Sequence, residues 1–478
     1  MKLSELIQGI DIQSPYHDYE VKDIRNNSKL VEPGDIYVAI KGSNVDGHRF
    51  AADAAARGAR TVVVEQDMGL ENQLIVQDTK KAYAMLCANF FGNPSERIKL
   101  IGVTGTNGKT STTTIIKSIL EAAGLKTGLI GTIQIEYGAV VKPNPNTTPD
   151  AYMFQKTLKE MLDAGCCYVV SEISSHALAQ ERILGSRFEV CGFTNLTQDH
   201  LDYHKDMEDY FLAKKKLFTM GKYNVVNIHD AYGRRLAEEL PEKPVTFSVS
   251  DPNADFYASE IECTASSVHF RMTHGGVTSR VIFAIPGLYS VENALAAISI
   301  CRVLGISMDT IISALAKIKG VKGRCEIIFS NSRFMVVCDY AHTPDGIENI
   351  LQSLKAVSKG RVVAVFGCGG DRDRTKRPLM AEACEKYADF IIVTSDNPRS
   401  EDPEAIIGDI LPGMSGKVDF VKRTDRTEAI RYAMENAQQD DVIVLLGKGH
   451  ETYQILKNET IHYDEREVVA QIAKNLNE

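Results

Sequence analysis

The run Thr104-Gly105-Thr106-Asn107-Gly108-Lys109-Thr110-Ser111 places two glycines, a lysine and four hydroxyl side chains side by side, and that combination suits a phosphate. Glycines let backbone N–H groups turn toward an anion, Lys109 adds a mobile positive charge, and the Thr110 hydroxyl can ligate magnesium. The spacing departs from a strict Walker A pattern, because the residue five before Gly108 is Val103 rather than glycine. A carboxylate belongs beside such a loop, at the C-terminal end of a neighbouring strand. Tyr168-Val169-Val170 runs into Ser171-Glu172, which makes Glu172 the candidate magnesium ligand. The last third of the chain has four polar loops, each after an apolar run: Asp339-Tyr340-Ala341-His342, Gly367-Cys368-Gly369-Gly370-Asp371-Arg372, Asp396-Asn397-Pro398-Arg399 and Gly447-Lys448-Gly449-His450-Glu451. The second lacks the G-x-G-x-x-G spacing of a dinucleotide fold, so a second ligand site of another kind is expected there.

Elements of two kinds must hold these residues. Before the phosphate loop, Leu100 to Val103 reads as a buried strand. After it, Ile115, Ile116, Ile119, Leu120 and Ala123 recur at helical spacing until Gly124, placed as a helix C-cap. Further strands are expected at 36–40, 61–64, 129–135, 334–338, 362–366, 390–394 and 442–446, with helices at 51–59 and 151–164. Strands alternating with helices imply an α/β chain with parallel sheets and binding loops at their C-terminal edges.

The chain has 478 residues, too many for one core. Three domains are expected, at 1–97, 98–323 and 324–478: a small N-terminal α/β module, a central P-loop ATPase-like domain and a C-terminal Rossmann-like α/β domain. A net charge of −9 argues against nonspecific nucleic-acid binding. Ten cysteines without C-x-x-C pairs suggest reduced, mostly buried thiols rather than disulfides or zinc. No charged leader or membrane-length apolar run is present, so a cytoplasmic protein without a membrane span is expected.

The form G-T-N-G-K-T resembles the Mur ligase family of ATP-dependent amide-forming enzymes, and further signatures follow in order along nearly the whole chain. Glu172-Ile173-Ser174-Ser175-His176 through Gln180-Glu181-Arg182 resembles the second, and Asn195 to His204 the third. Ala213-Lys214-Lys215-Lys216-Leu217-Phe218 resembles the segment that carries a carbamylated lysine. The resemblance implies ATP and Mg2+ as cofactors, a carbamate on Lys214, and Thr110, Glu172, His200 and Lys214 as metal ligands. Lys109, Lys214, His200 and Glu172 would form the catalytic set. Gly105, Thr106, Asn107, Gly108, Lys109, Thr110, Ser111, Asn293, Arg324, Asp339 and His342 would contact the nucleotide, as would Asn227 and Asp230, although His229 replaces the first aspartate of the usual N-x-D-D loop.

In the peptidoglycan branch of the family, the N-terminal module holds the UDP group of a sugar nucleotide. Ser28, Ser43, Asn44 and Val45 are the matching positions here, and Asn146, Thr147, Thr148, Ser174, Gln180 and Arg182 would bind the rest of that substrate. Arg372, Asp396, Asn397, Pro398, Arg399, Gly447 and Glu451 would bind an incoming amino acid. The implied reaction joins meso-diaminopimelate to a UDP-linked muramoyl dipeptide through an acyl phosphate, on small-molecule substrates and as a monomer. Folylpolyglutamate synthesis is one alternative, disfavoured by the UDP module and by D-N-P-R. A lysine-adding ligase of the same subfamily is another, and a nucleotide-driven switch protein a third, since a switch needs the loop but no acceptor site.

Overall fold

The computed structural model describes residues 1–42, 45–264, 267–318 and 320–476, and it is an α/β molecule with parallel sheets. Its contacts divide into two compact bodies. The first comprises Met1–Thr104, Gly124–Cys191 and Ala213–Asn224; the second comprises Gly105–Ala123, Gly192–Leu212 and Val225–Glu478.

In the first body, Ile24–Arg25, Ile36–Val38, Thr61–Val64 and Gln73–Ile75 form a four-stranded parallel sheet in that order. Its two middle strands are buried along their whole length, as expected of apolar, β-branched runs covered on both faces. Helix Thr79–Phe90 starts at Asp78, whose carboxylate accepts from the Lys80 and Lys81 N–H groups. Ala82, Leu86 and Cys87 of that helix share a core with Leu3, Leu6, Ile36 and Val63. A second parallel set pairs Lys99–Thr104 with Tyr168–Glu172, and the latter with Thr127–Ile130.

The single strand expected at 129–135 is broken. Thr127–Ile130 ends in a turn closed by Gly131 N donating to Gln134 O at 3.1 Å, and Ile135–Tyr137 returns antiparallel. Gly131 is needed at the bend because a Cβ there would lie 2.5 Å from Glu172 Oε1. The helix expected at 151–164 spans Ala151–Asp163, N-capped by Asp150, and the one expected at 51–59 is shorter, Ala51–Ala56.

In the second body, Val225–Asn227 pairs in parallel with Val245–Thr246–Phe247, and that strand with Phe256–Tyr257. Val268–His274 and Val277–Phe283 then continue as an antiparallel meander. Helix Leu288–Val303 is buried over most of its length. A six-stranded sheet follows in the order Glu326–Ser330, Phe334–Asp339, Asp441–Leu446, Val362–Phe366, Phe390–Val393 and Phe420–Lys422. All its pairings are parallel except the first. The four polar loops singled out in the sequence leave the C-terminal ends of its four central strands, where a doubly wound sheet binds ligands.

All ten cysteines are free; Cys167 is exposed, Cys263 half-buried and the other eight buried. Among the described residues no helix is long and apolar enough to cross a membrane.

Candidate active site

The glycines of the phosphate loop are there for want of room. Gly105 sits at φ +152°, and a Cβ on it would meet Thr194 Oγ1 at 1.9 Å; Gly108 sits at φ +84°, and its Cβ would meet Asn293 Oδ1 at 2.3 Å. Asn195 fixes the loop from outside, accepting from Thr106 N at its carbonyl (2.9 Å) and from Asn107 N at its side chain (2.8 Å). Helix Lys109–Ala122 starts at Gly108 with no side chain capping it, so the first-turn N–H groups and the helix dipole favour an anion. Lys109 Nζ folds back over the loop and donates to Gly105 O (2.9 Å) and Thr106 O (2.8 Å). Thr110 Oγ1 accepts from Arg324 Nη2 at 3.1 Å.

This loop opens into a cavity of about 550 Å³ lined wholly by the second body, within the range of small-molecule sites. Asn107, Gly108, Thr110 and Ser111 form its glycine-loop end, and Asn293, Arg324 and Asp339 also line it. Arg324 stacks over the Tyr340 ring at 4.7 Å. Asp339 accepts from the Cys325 and Ala341 N–H groups, both at 2.7 Å; burial raises its carboxyl, with Arg324 opposing. Asn227, His229, Asp230, Glu292 and Asp345 complete an acidic wall. Asn107 Nδ2 donates to Asp345 Oδ2 at 2.6 Å. Glu292 is pushed up to about 7, first by burial and then by Asp230 and Asp345. Acceptor-rich walls suit the hydroxyls and amine of a nucleoside, and the glycine loop suits its phosphates. His342 lies outside the lining; its Nδ1 is 2.8 Å from Tyr340 O, and burial, aided by Lys376, lowers its imidazole to about 4.

His200 adopts the left-handed region at φ +55°, uncommon for a residue with a side chain. Its Nε2 is 3.5 Å from Asp199 Oδ2, and Lys376 Nζ is 3.5 Å from Asp199 Oδ1. Burial would raise Asp199, but His200, Lys376 and His342 hold it well below the usual carboxylate range.

The loops of the C-terminal sheet form a second polar site. Asp396, Asn397 and Glu451 are buried. Asn397 N donates to Asp396 Oδ1 (2.6 Å) and Asn397 Nδ2 to Glu451 Oε2 (2.8 Å). Asp396 Oδ2 is buried without a partner, and Gly447, at φ +110°, leaves it space that a Cβ would fill at 2.5 Å. Arg399, which follows Pro398, is also left-handed (φ +52°), and its Nη1 donates to Gly370 O at 2.9 Å. Arg372 is exposed, with Nη1 on Asp371 O at 3.0 Å.

The remaining candidates lie in the first body. Glu172 ends its strand 1% exposed, accepting from Thr132 N (2.8 Å) and Thr132 Oγ1 (2.9 Å). Thr132 Oγ1, its one proton given to Glu172, also lies 3.1 Å from Thr147 Oγ1, from which it can accept. Thr148 Oγ1 donates to Glu172 O (2.8 Å) and accepts from Ser174 N (3.0 Å); Ser174 in turn caps helix Ser175–Ala179. Arg182 donates to Thr148 O (2.9 Å) and to Gln180 Oε1 (2.7 Å). Glu172, Thr147, Thr148, Ser174, Gln180 and Arg182 are therefore one connected network. Asn146 is exposed beside it. Lys214 is 1% exposed. Ser28 is buried at the start of the 3-10 turn Ser28–Leu30, and Val45 is exposed. Ser43 and Asn44 lie outside the described residues.

Three residues that the sequence did not single out enter these sites. Glu292 reaches the nucleotide-sized cavity, Lys376 meets Asp199, and Lys448 is buried among Asn397 and Glu451. Each appears in sequence as an ordinary charge on a helix or loop.

Comparison with known proteins matches three family models in order: "Mur ligase family, catalytic domain" over residues 20–90, "Mur ligase middle domain" over 103–301, and "Mur ligase, glutamate ligase domain" over 323–449. The UDP-N-acetylmuramoyl-L-alanyl-D-glutamate--2,6-diaminopimelate ligase of Clostridium perfringens is 45% identical, with 99% of each chain covered. The protein of the same name from Clostridium botulinum is 43% identical over 96% of each. A solved structure of a UDP-N-acetylmuramoyl-L-alanyl-D-glutamate--2,6-diaminopimelate ligase superposes with a TM-score of 0.70 at 32% identity, covering 99% of this chain and 98% of that one. Similarity of this extent, together with a glycine-walled phosphate loop and a second polar site on the C-terminal sheet, shows that the chain belongs to the Mur ligase family.

Proposed function

We propose that this chain is an ATP-dependent ligase that joins meso-diaminopimelate to UDP-N-acetylmuramoyl-L-alanyl-D-glutamate in the synthesis of the peptidoglycan precursor. The observation that carries this reading is the presence, in one body, of a cavity opening from the glycine loop and of a carboxylate oxygen, Asp396 Oδ2, buried without a protein donor. The first suits ATP and the second an ammonium group. Full-length relatives named for this reaction support the choice of substrates. The division proposed is a UDP-sugar module at 1–97, an ATP-binding domain at 98–323 and an amino-acid-binding domain at 324–478.

An unactivated carboxylate does not acylate an amine at neutral pH. The γ-phosphoryl group of ATP therefore passes to the D-glutamate side-chain carboxylate, giving an acyl phosphate and ADP. The neutral amine of the acceptor attacks the acyl carbon, phosphate leaves with the C–O electron pair, and the nitrogen loses a proton as the amide forms. Lys109 and the open helix terminus offset charge at the transferring phosphoryl group. Asp396 and Glu451 receive an ammonium of the amino acid, and Arg399 and Arg372 are the cations available to its carboxylates.

Among the described residues no three His, Cys, Asp or Glu side chains converge on one point. Magnesium fits that donor set, because it takes one or two protein ligands and completes its shell with water and phosphate oxygens. Thr110 and His200 are the proposed metal ligands of the second body, and Glu172 and a carbamylated Lys214 those of the first. When bound it neutralises phosphate charge. The family resemblance supports a monomer acting in the cytoplasm.

Mass spectrometry of the products formed from UDP-muramoyl dipeptide, ATP and either meso-diaminopimelate or lysine tests the assignment. ADP, phosphate and the diaminopimelyl tripeptide are expected. A lysyl tripeptide formed as readily would remove the acceptor assignment, and ATP hydrolysis without any tripeptide would remove the ligase.

A further inference from the structure

Lys448 lies in the acceptor pocket with none of its surface in solvent. A fully buried ammonium is costly unless it is paired and hydrogen-bonded, and here it has both. Nζ is 3.0 Å from Glu451 Oε2 and 3.2 Å from Asn397 Oδ1, with the Tyr453 and Tyr463 rings at 5.8 and 5.9 Å. Asn397 also donates to Glu451 Oε2. Both contacts thus fall on one oxygen of Glu451, while Asp396 Oδ2, beside Gly447, is buried without a partner.

Two carboxylates so placed oppose each other's ionisation. Burial raises Glu451, Asp396 raises it further, and Lys448 acts against both. The other groups facing this pair are Tyr340, Tyr453 and Cys368, and Arg426, which faces Asp396 from helix Arg426–Glu435. Of the cations on that list, Lys448 is the one bonded to Glu451. Lys448 thus offsets part of the negative charge of the two carboxylates, since Arg426 is itself ion-paired with Glu465 at 2.7 Å.

We propose that Lys448 is the positioning residue of the acceptor site: its ammonium, bonded to Glu451 Oε2 and Asn397 Oδ1, turns Glu451 so that Asp396 and Glu451 together receive one ammonium group of the incoming amino acid. This rests on the acceptor assignment made above, and it adds a residue that need not touch substrate.

Steady-state kinetics of the full-length enzyme test it, with Lys448→Met, Lys448→Gln, Glu451→Gln and the double variant Lys448→Met/Glu451→Gln. Loss of one charge-assisted contact should raise KM for diaminopimelate about 10- to 100-fold near pH 7, with kcat and KM for ATP close to wild type. Without Lys448 the Glu451 carboxyl rises further, because the group opposing its burial and Asp396 is gone. Raising the pH favours its ionised form, so the KM penalty should shrink toward pH 9. Because Lys448 acts through Glu451, adding Lys448→Met to Glu451→Gln should change KM by less than about threefold. A pH-independent fall in kcat, fully additive effects in the double variant, or failure of both Lys448 variants to fold would each overturn the proposal. A wild type that forms tripeptide with neither amino acid would instead take away the acceptor assignment on which it stands.

Discussion

Glu292 shows how a cavity sets the chemistry of one side chain. Its carboxylate lines the nucleotide-sized cavity, accepts from Asn227 Nδ2 at 3.4 Å, and faces His229 Nε2 at 3.8 Å. Burial with Asp230 and Asp345 pushes it up to about 7, whereas in the unfolded chain it titrates as an ordinary glutamate. A folded-state value above the unfolded one favours folding while the group is protonated, and that contribution is lost as pH rises from the unfolded value through the folded one. Glu292→Gln cannot ionise and escapes the loss. The variant should match wild type near pH 4 and become more stable between pH 5 and 8, by at most about 3 kcal/mol. Denaturant unfolding at several pH values measures the difference; a constant offset across that window would mean that Glu292 is ionised throughout. Neutral Glu292 can also donate a hydrogen bond, which Asp230 and Asp345 cannot do while ionised.

At the scale of elements, the candidate phosphate loop runs directly into helix Lys109–Ala122, and Gly108 is the joint. Replacing it by alanine forces a Cβ to within 2.3 Å of Asn293 Oδ1 and strains a backbone held at φ +84°. Strain of this kind costs about 1–3 kcal/mol, and relief requires the loop to move away from the orientation that aims its N–H groups at phosphate. Gly108→Ala should therefore raise KM for ATP at least about tenfold while far-UV circular dichroism stays that of wild type. An unchanged KM would separate this glycine from the nucleotide. The junction was legible in sequence because its determinants are local: an apolar strand, a glycine turn and a helical repeat within 25 or so residues. Buried strands were legible for the same reason, and Val362–Phe366 matches its expected bounds. The meander Phe256–Cys263, Val268–His274 and Val277–Phe283 has no continuous apolar run of that kind: Val268-His269-Phe270-Arg271-Met272 alternates buried with more exposed residues, and a register shift between Ser259 and Glu262 breaks the alternation in its first strand. Lys448 and Lys376 were not legible, since their partners Asn397 and Asp199 stand 51 and 177 residues away in the chain. Their burial is a property of the tertiary structure, and in sequence each reads as a solvated lysine.

For the whole molecule, the candidate sites fall separately in the two bodies. Every residue lining the 550 Å³ cavity belongs to the second body, as do Asp396, Asn397, Arg399 and Glu451, while the network of Glu172, Thr148, Ser174 and Arg182 and the N-terminal sheet with Ser28 belong to the first. A ligand stabilises the folded form of whatever it binds by RT ln(1 + [L]/Kd), about 2.7 kcal/mol at a hundred times Kd. A non-hydrolysable ATP analogue should accordingly protect the second body, and UDP-muramoyl dipeptide the first. Hydrogen exchange read peptide by peptide distinguishes them. With the analogue, slowing should concentrate in Gly105–Ala123, in the Asn227–Ala231 loop and at the start of helix Leu288–Val303. With the UDP substrate it should concentrate in 20–90 and around Thr148 to Arg182. Calorimetry on the same samples should show the melting profile rising with either ligand and further with both. Protection of 20–90 by the ATP analogue alone, with no slowing at Gly105–Ala123, would place the nucleotide in the first body and leave the glycine loop without its assigned phosphate.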